Sequence, residues 1–313
     1  MDEQAAAPTT PHGSVPADAA PRRLAAVLAA LVAVALATGA AGPGDPVGGR
    51  GLDPSPAART AEAPAATVRV AAANISSRLA EGAFVSDLAR TYASQADLVA
   101  LSEVGYRSIE QLQRSGYRVW RGERAVGQAR STAVAWHGAR WSLVEAGRKR
   151  LVRRGPQRWD ARRSATWATL RGTGARSGVG QVSLVSVHHM VNPARYGPRK
   201  PRRQWLYARG VRRIAALVVE LSSRGPVVVA GDFNSPWWAD DPWGPRRLLG
   251  PTAMPQPYAM EDSMSVLGRT PTHDAGGVVD YVFSQPSQAT PTAQQTVPLN
   301  SDHRLLTVDL RLR

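Results

Sequence analysis

The sequence predicts an α/β fold in which strands and helices alternate along a domain that begins near Thr67. Two observations predict this class, and a third limits its chemistry. The composition, 43% hydrophobic and 20% charged, is that of an ordinary globular protein. Apolar runs of strand length recur along the chain, and amphipathic stretches of helix length separate some of them. There is no cysteine, so a metal must be held by oxygen or imidazole ligands.

Each predicted element follows from its local pattern. The alternating stretch TVRVAAANI predicts a strand at 67–75, and a second strand is predicted at 97–103. Between them, a helix at 79–94 places three apolar residues on one face: Phe84, Leu88 and Tyr92. Further strands are predicted at 131–137, 166–171, 181–188, 226–231, 279–284 and 305–310, and a long helix at 202–222.

The N-terminal region has the pattern of an export signal. Arg22 and Arg23 precede an alanine-rich apolar run, and small residues follow it as they do before a cleavage site. The run is either a cleaved signal or, through Ala41, an uncleaved membrane tether at 24–41, and both place the domain outside the cytoplasm. We therefore expect a secreted or extracytoplasmic membrane-anchored protein divided into a disordered tail (1–21), a signal peptide or membrane anchor (22–41), a disordered linker (42–66) and a folded domain (67–313).

The domain is strongly basic. The first 66 residues hold four basic and six acidic residues, which leaves 35 basic against 18 acidic in the domain, a net charge of +17. This excess predicts a polyanionic partner such as nucleic acid. It concentrates at 140–163 and 195–213, where Trp141, Trp159 and Trp205 are interleaved with arginines. The candidate substrate-binding residues are Arg202, Arg203, Arg212 and Arg213, and the alternative is a solvated basic face that reflects genomic base composition.

The stretch VVVAGDFNSPWW at 227–238 ends a buried strand with polar groups. A continuous valine run closed by Gly231 predicts a strand covered on both faces. The spacing of two places Asp232 and Asn234 on the same side of an extended chain, where both can face one bound group. The alternative interpretation is a turn in which both side chains cap their own backbone.

Polar groups also follow or precede the other predicted strands. All of them are groups that bind hard cations, move protons or stabilise phosphate oxygens. Six strand ends therefore predict one functional rim, built from Asn74, Glu103, His188 with His189, Asp232 with Asn234, Asp280, and Asp302 with His303.

The motifs AAANI, LSEV, SVHH, AGDFNS, VVDYVF and SDHRLL, in this order, resemble those of the endonuclease/exonuclease/phosphatase superfamily of metal-dependent phosphoesterases. The resemblance extends from Asn74 to His303. It implies a four-layer sandwich of two packed mixed β-sheets flanked by helices, which agrees with the alternating pattern.

The resemblance also implies a metal site. Glu103, with Asn74 nearby, is similar to the family's principal site for Mg²⁺ or Mn²⁺. One carboxylate and one amide oxygen suit a cation that keeps waters and takes further oxygens from the substrate. Asp302 is expected to complete the acidic rim or to form a second cation position.

The catalytic roles follow from the same resemblance. Asp232 is similar to the residue that activates the attacking water, and Asn234 to the residue that positions it. His303 resembles the histidine that contacts the phosphate, and Asp280 the carboxylate that orients this histidine through its other ring nitrogen. Such a pair keeps the imidazole cationic near neutral pH.

The remaining histidines divide into two groups. Either His188 or His189 matches the family's phosphate-stabilising histidine, because a shift of one residue turns a side chain to the opposite face of the sheet. We favour His188, which keeps the motif VSVH in frame. His137, His273 and Asp274 match no motif, and we expect them to be ordinary loop or surface residues.

Together these features predict an exported, Mg²⁺-dependent phosphodiesterase that cleaves nucleic acid by in-line attack of water. One alternative is a phospholipid or sphingolipid phosphodiesterase, for which the tryptophans of 235–245 would lie at a membrane interface. Another is a polyanion-binding protein that has lost turnover. A packed tryptophan-proline loop is the simpler interpretation of 235–245.

Overall fold

The computed structural model describes residues 66–122, 130–152, 163–192, 201–238 and 243–313. These residues form two packed six-stranded mixed sheets with flanking helices, so the predicted fold class is confirmed. The predicted tail, signal or anchor, and all of the linker except Ala66 lie outside the described residues. Within the described stretches, no helix combines the length and the apolar character needed to cross a bilayer.

The elements alternate as the sequence predicts. The first half of the domain contains β1 (Thr67–Asn74), α1 (Glu81–Ala93), β2 (Leu98–Ser102), α2 (Ile109–Leu112), β3 (Tyr117–Trp120), β4 (Ala133–His137) and β5 (Trp141–Val152). The second half contains β6 (Arg163–Gly172), β7 (Gln181–His188), α3 (Pro201–Leu221), β8 (Val227–Asp232), α4 (Pro245–Leu249), β9 (Glu261–Asp262), α5 (Ser263–Leu267), β10 (Asp280–Ser284), β11 (Ala289–Pro298) and β12 (Arg304–Leu312).

Each sheet is built around one parallel pair of strands. The orders are β11-β12-β1-β2-β4-β3 and β5-β6-β7-β8-β10-β9. The parallel pairs are β1 with β2 and β7 with β8, and the chain passes through α1 and α3, respectively, between their strands. All other pairs are antiparallel, so β10 and β12 begin at the edge where their neighbours β8 and β1 end.

Strand β1 shows how the core positions a functional side chain. Val70 and Ala72 belong to the main core, together with residues of the second sheet, whereas Ala71 and Ala73 belong to a smaller cluster with α1. Because side chains alternate between the two faces of a strand, Asn74 continues the inward-facing row. Its side chain therefore points between the sheets.

Hydroxyl groups join the two sheets beside this position. The hydroxyl of Ser102 on β2 donates to the carbonyl of Val187, and the hydroxyl of Ser186 on β7 donates to the carbonyl of Leu101, both at 3.0 Å. All four residues are buried. These reciprocal bonds fix the carboxyl ends of β2 and β7 relative to each other.

Four strands were not predicted from the sequence: β3, β5, β9 and β11. They are the outermost strands of the two sheets. An edge strand is covered on fewer sides and needs fewer apolar residues. β5 is rich in charged residues, β11 is polar with one proline at its register shift and another at its end, and β9 has only two residues. Their local patterns therefore lack the apolar signal of the inner strands.

Candidate active site

Strand register places three predicted site residues in one row. His188 at the end of β7 pairs with Asp232 at the end of β8, and Asp232 pairs with Asp280 at the start of β10. All three residues are buried. The carboxyl edge of the second sheet thus presents one imidazole and two carboxylates on neighbouring strands.

The sequence GDFN shapes the end of β8. Gly231 has a φ of +128°, and a Cβ atom there would lie 2.2 Å from the carbonyl oxygen of Val187, so only glycine fits. Asn234 has a φ of +50°, which asparagine tolerates. Asp232 accepts hydrogen bonds from the Asn234 backbone nitrogen at 2.6 Å and from Asn234 Nδ2 at 2.8 Å. The turn bond of the alternative interpretation therefore occurs at Asp232, whereas the left-handed backbone of Asn234 departs from the predicted extended chain and brings its amide to Asp232 by a turn.

Asn74 reaches Asp232 from the first sheet. Its Nδ2 donates to Asp232 Oδ2 at 3.0 Å, and its Oδ1 is buried and accepts no hydrogen bond within the described part of the chain. A buried acceptor without a donor is costly unless a cation or another donor faces it. Asn74 is the register partner of Ser102, and Glu103 follows directly. The amide oxygen and the Glu103 carboxylate therefore fit a hard cation at this end of β1 and β2.

Glu103 is held in a sparsely populated backbone conformation. Its φ is +60°, and its Oε2 accepts from the Ser77 backbone nitrogen at 3.2 Å. Its Oε1 lies 3.8 Å from His188 Nε2, and the side chain is 30% exposed. A left-handed conformation at a residue other than glycine costs free energy that the surroundings must offset, and such residues cluster at functional sites.

His303 is positioned by contacts on two sides. Its Nδ1 lies 2.8 Å from Asp280 Oδ2. The preceding loop is bound by Asp87, a buried carboxylate of α1 that accepts from the backbone nitrogens of Asn300 at 2.7 Å and of Ser301 at 2.9 Å. Asp87 therefore fixes the loop from which His303 enters the cleft.

Burial and charge set the protonation of the two central groups. Burial raises the pKa of Asp232 to about 7, and the neighbouring His303 opposes this rise. For His303, burial alone would lower the pKa, but Asp280, Asp232 and Asp302 outweigh it and raise the pKa to about 10. His303 is therefore an imidazolium at neutral pH.

The contact of His303 with Asn74 bears on this assignment. Asn74 Nδ2 lies 3.2 Å from His303 Nε2, which is a hydrogen bond only with a neutral imidazole. We assign the imidazolium, because the bond to Asp280 is shorter and charge-assisted. Nε2 then carries a hydrogen that a bound anion can accept.

His188 has the opposite charge state. Burial, followed by the charges of Arg163 and His303, lowers its pKa well below the usual value, so the ring is neutral. Arg163 Nη1 lies 3.4 Å from His188 Nδ1, which makes Nδ1 the acceptor and leaves the hydrogen on Nε2. Nε2 faces Asp232 Oδ2 at 3.6 Å, so His188 is an uncharged donor directed at the cleft.

His189 points away from the cleft. It is fully buried, its ring packs at 4.3 Å from that of Tyr207 on α3, and burial lowers its pKa to about 3. A Cβ atom at Gly210 would lie 2.1 Å from His189 Nε2, so this glycine makes room for the ring. The one-residue offset between the two histidines thus separates a cleft residue from a core residue.

These groups line one cleft with a volume of about 840 Å³. Its walls include Glu103, His188, Asp232, Asn234 and His303 from the predicted set, and Arg163 and His273 in addition. Among the described residues, two groups bring three metal-ligating atoms within 4.8 Å of one another: Asp232 with Asp280 and His303, and His273 with Asp302 and His303. Glu103 belongs to neither group.

The four predicted substrate-binding arginines differ in exposure. Arg202 and Arg212 are exposed on α3. Arg203 is only 3% exposed, and Arg213 donates to the carbonyl oxygens of Arg150 and Leu151. Arg203 and Arg213 lie on the side of α3 that packs against the domain. The sequence alone does not reveal this, because the side of a helix that packs is known only from the fold.

The tryptophans of 235–245 are mostly packed. Trp237 stacks on Tyr281 at a centroid distance of 6.3 Å, and Arg246 lies 3.7 Å above its ring. Trp243 packs against the main core, whereas Trp238 is 73% exposed. Residues 239–242 lie outside the described part of the chain.

Three site residues were not predicted. Arg163 belongs to a run of arginines whose members look alike in the sequence, and His273 matches no motif and was expected to be an ordinary loop residue. Asp87 had a usable signal, because it lies within the buried stripe of α1 beside Phe84 and Leu88. A carboxylate on an apolar helix face must have buried donors.

The chain belongs to the Endonuclease/Exonuclease/phosphatase family, whose model matches residues 71–303. The resemblance inferred from the six motifs is confirmed. Members of this family are phosphoesterases that generally require a divalent metal. No curated protein matches the sequence significantly.

Several solved structures share the fold. An endonuclease/exonuclease/phosphatase from Bacteroides vulgatus has a TM-score of 0.60 and 17% identity, over 79% of this chain and 100% of that chain. The human Nocturnin catalytic domain with bound sulfate has a TM-score of 0.57 and 15% identity, over 79% and 94%. ANGEL2, a 2′,3′-cyclic phosphatase in complex with adenosine-2′,3′-vanadate, has a TM-score of 0.56 and 16% identity, over 79% and 96%.

The proposed metal ligand Glu103 can be tested directly. We expect Glu103→Gln to fold normally and to lower Mg²⁺ affinity by about 100-fold, since loss of even an indirect metal contact costs 10- to 100-fold. Titration calorimetry measures the affinity, and circular dichroism checks the fold. Glu110→Gln, at an exposed site on α2, is the control. Unchanged Mg²⁺ affinity in Glu103→Gln would remove this residue from the metal site.

Proposed function

We propose that the protein is a metal-dependent phosphodiesterase that hydrolyses nucleic acid and acts outside the cytoplasm. The observation that carries the catalytic part is the arrangement around Asp232. This carboxylate has a pKa near neutrality and lies between a neutral donor, His188, and a cationic donor, His303. A general base flanked by two hydrogen-bond donors, one neutral and one charged, suits the transfer of a phosphoryl group to water.

Glu103 and Asn74 are the residues that would hold the metal, because Asn74 offers an unpaired buried oxygen at the end of β1 and pairs in register with Ser102, the residue before Glu103. In these positions they would hold a divalent cation that would supply Lewis-acid polarisation of a phosphoryl oxygen. The amide of Asn74 also donates to Asp232 and so couples the two parts of the site.

Asp232 is the proposed general base. It takes a proton from water as the new oxygen–phosphorus bond forms; the ester bond on the opposite side breaks, and the leaving oxygen departs with the bonding electron pair and takes a proton from solvent water. The two bonds from Asn234 fix the carboxylate so that one orientation serves the reaction. A pKa of about 7 matches the usual requirement for a base that works at neutral pH.

His303 and His188 are the residues that we propose donate hydrogen bonds to the phosphate group. The charged Nε2–H of His303 stabilises negative oxygen in the bound ester and in the transition state. Asp280 keeps this ring charged and oriented. His188 adds a donor without adding charge, since Arg163 holds its other nitrogen as an acceptor.

The basic surface supports nucleic acid as the substrate. Arg202, Trp205, Arg209 and Arg212 are exposed at spacings of three to four residues along α3, and the guanidinium of Arg209 lies 4.9 Å above the Trp205 ring. Arginine beside an exposed aromatic ring suits a phosphate backbone with unstacked bases. The adenosine ligand of the structurally similar ANGEL2 is compatible with this choice.

A substrate screen tests the function as a whole. The protein is incubated with DNA, RNA, phospholipids and phosphomonoesters, with and without Mg²⁺. We expect cleavage of a nucleic acid that requires the metal. Hydrolysis of phospholipid alone would instead favour the lipid phosphodiesterase, and no hydrolysis of any ester would favour a binding protein.

Two substitutions separate the roles of Asp232 and His303. We expect Asp232→Asn to lower single-turnover cleavage by about 100-fold or more while leaving substrate affinity unchanged, because the amide keeps the shape but cannot accept the proton. His303→Ala should lower both the cleavage rate and the affinity, because it removes a charge-assisted donor from the ground state as well. Near-normal cleavage by Asp232→Asn would contradict its role as the base.

The exposed arginines of α3 give a salt-dependent prediction. If Arg202 and Arg212 contact DNA phosphates, replacing both by glutamine should reduce the slope of log affinity against log salt by about 0.9 for each lost contact. The control replaces Arg311 and Arg313, which carry the same total charge. Both are exposed at the C-terminal end of β12, away from His303. Equal slopes for the two double variants would rule out a specific role for α3.

The proposal of export rests on residues 22–41, which lie outside the described part of the chain. A cleaved signal predicts a mature N-terminus near Ala41, and an anchor predicts the intact chain in the membrane fraction. Fractionation of the native host with N-terminal sequencing distinguishes the two. Intact protein confined to the cytosol would contradict both versions.

A further inference from the structure

His273 lies in the cleft wall and is not one of the proposed catalytic residues. It forms an isolated antiparallel β-bridge with His303, and the two rings meet edge to face at a centroid distance of 4.9 Å. The His273 side chain is 29% exposed and lines the cleft. His273 therefore lies beside His303, the residue proposed to bind the phosphate group.

The loop that carries His273 is fixed by backbone bonds. The backbone nitrogen of His273 donates to the carbonyl of Gly277 at 3.0 Å. The buried hydroxyl of Thr272 accepts from the backbone nitrogens of Val279 and Asp280, each at 3.0 Å. The same loop thus holds His273 and the start of β10, so the position of His273 is fixed relative to Asp280.

The hydrogen-bond pattern determines which nitrogen of His273 carries the hydrogen. The backbone nitrogen of Ala275 donates to His273 Nδ1 at 3.1 Å, so Nδ1 is an acceptor. The hydrogen must then be on Nε2, because a neutral imidazole has one donor and one acceptor. This tautomer excludes Nε2 as a metal ligand and makes it a donor.

The Nε2–H group has no protein acceptor at hydrogen-bonding distance among the described residues. Asp302 Oδ2 lies 3.7 Å from it, beyond the usual N–H···O length of about 2.9 Å, and the Asp302 side chain is 66% exposed. A donor is therefore available in the cleft wall beside His303.

We propose that His273 is a substrate-binding residue that donates its Nε2–H to an oxygen of the phosphate group held by His303. The two rings lie in contact, with centroids 4.9 Å apart, and both residues line the same cleft. Because each N–H···O bond is about 2.9 Å long, both can reach one phosphate group. This inference rests on the proposed phosphoesterase function and extends its phosphate site to a third histidine.

The test measures binding of inorganic phosphate by titration calorimetry in the presence of Mg²⁺, with cleavage kinetics on the best diester. His273→Phe keeps an aromatic ring against His303 and removes the donor. We expect it to weaken phosphate binding by about tenfold or more, the loss typical of a hydrogen bond to a charged group. His273→Gln, which restores an N–H donor, should recover part of the affinity.

Asp274→Ala is the matched control, since it alters an exposed neighbour on the same loop that does not line the cleft. Wild-type phosphate affinity in His273→Phe, or an equal loss in Asp274→Ala, would overturn the role of His273. These outcomes are separate from failure of the proposed function, in which the wild-type protein would hydrolyse no phosphoester. A wild-type protein that does not bind phosphate would overturn the inference as well.

Discussion

A carboxylate buried between two sheets needs hydrogen-bond donors and a nearby positive charge, and the site is organised around meeting this need for Asp232. The donors come from different parts of the chain: Asn74 at the end of β1, and the backbone and side chain of Asn234 after β8. The positive charge is His303, which precedes β12. An unpaired buried carboxylate would cost several kcal/mol. The folding of both sheets is therefore linked to the assembly of the site.

The same requirement explains why histidines in one cleft differ in charge. His303 faces carboxylates and stays protonated, whereas His188 is buried beside Arg163 and stays neutral. Two cations side by side would repel each other, and one neutral donor avoids this cost while still offering an N–H group. The neighbouring arginine and aspartate side chains thus give the two histidines different charges.

Local sequence patterns predict the inner strands, because a strand buried on two faces is a nearly continuous apolar run. The polar site residues are predicted as well, because each lies where such a run ends. The valine run before Asp232 is the clearest case. The edge strands β3, β5, β9 and β11 lack that signal, since partial exposure relaxes the choice of residue. Arg163 and His273 could not be predicted because their roles depend on strand pairing between distant segments. Arg163 follows a run of similar arginines, and the neighbours of His273 in the chain resemble an ordinary surface loop.

The bonds from Asp87 to the amides of Asn300 and Ser301 have a consequence for dynamics. They make the loop before His303 part of the same cooperative unit as α1, although more than 200 residues separate the two in the chain. Local opening of this loop must break charge-assisted bonds to a buried helix residue. The imidazolium is consequently in place before any ligand arrives, and binding spends little conformational entropy on ordering it.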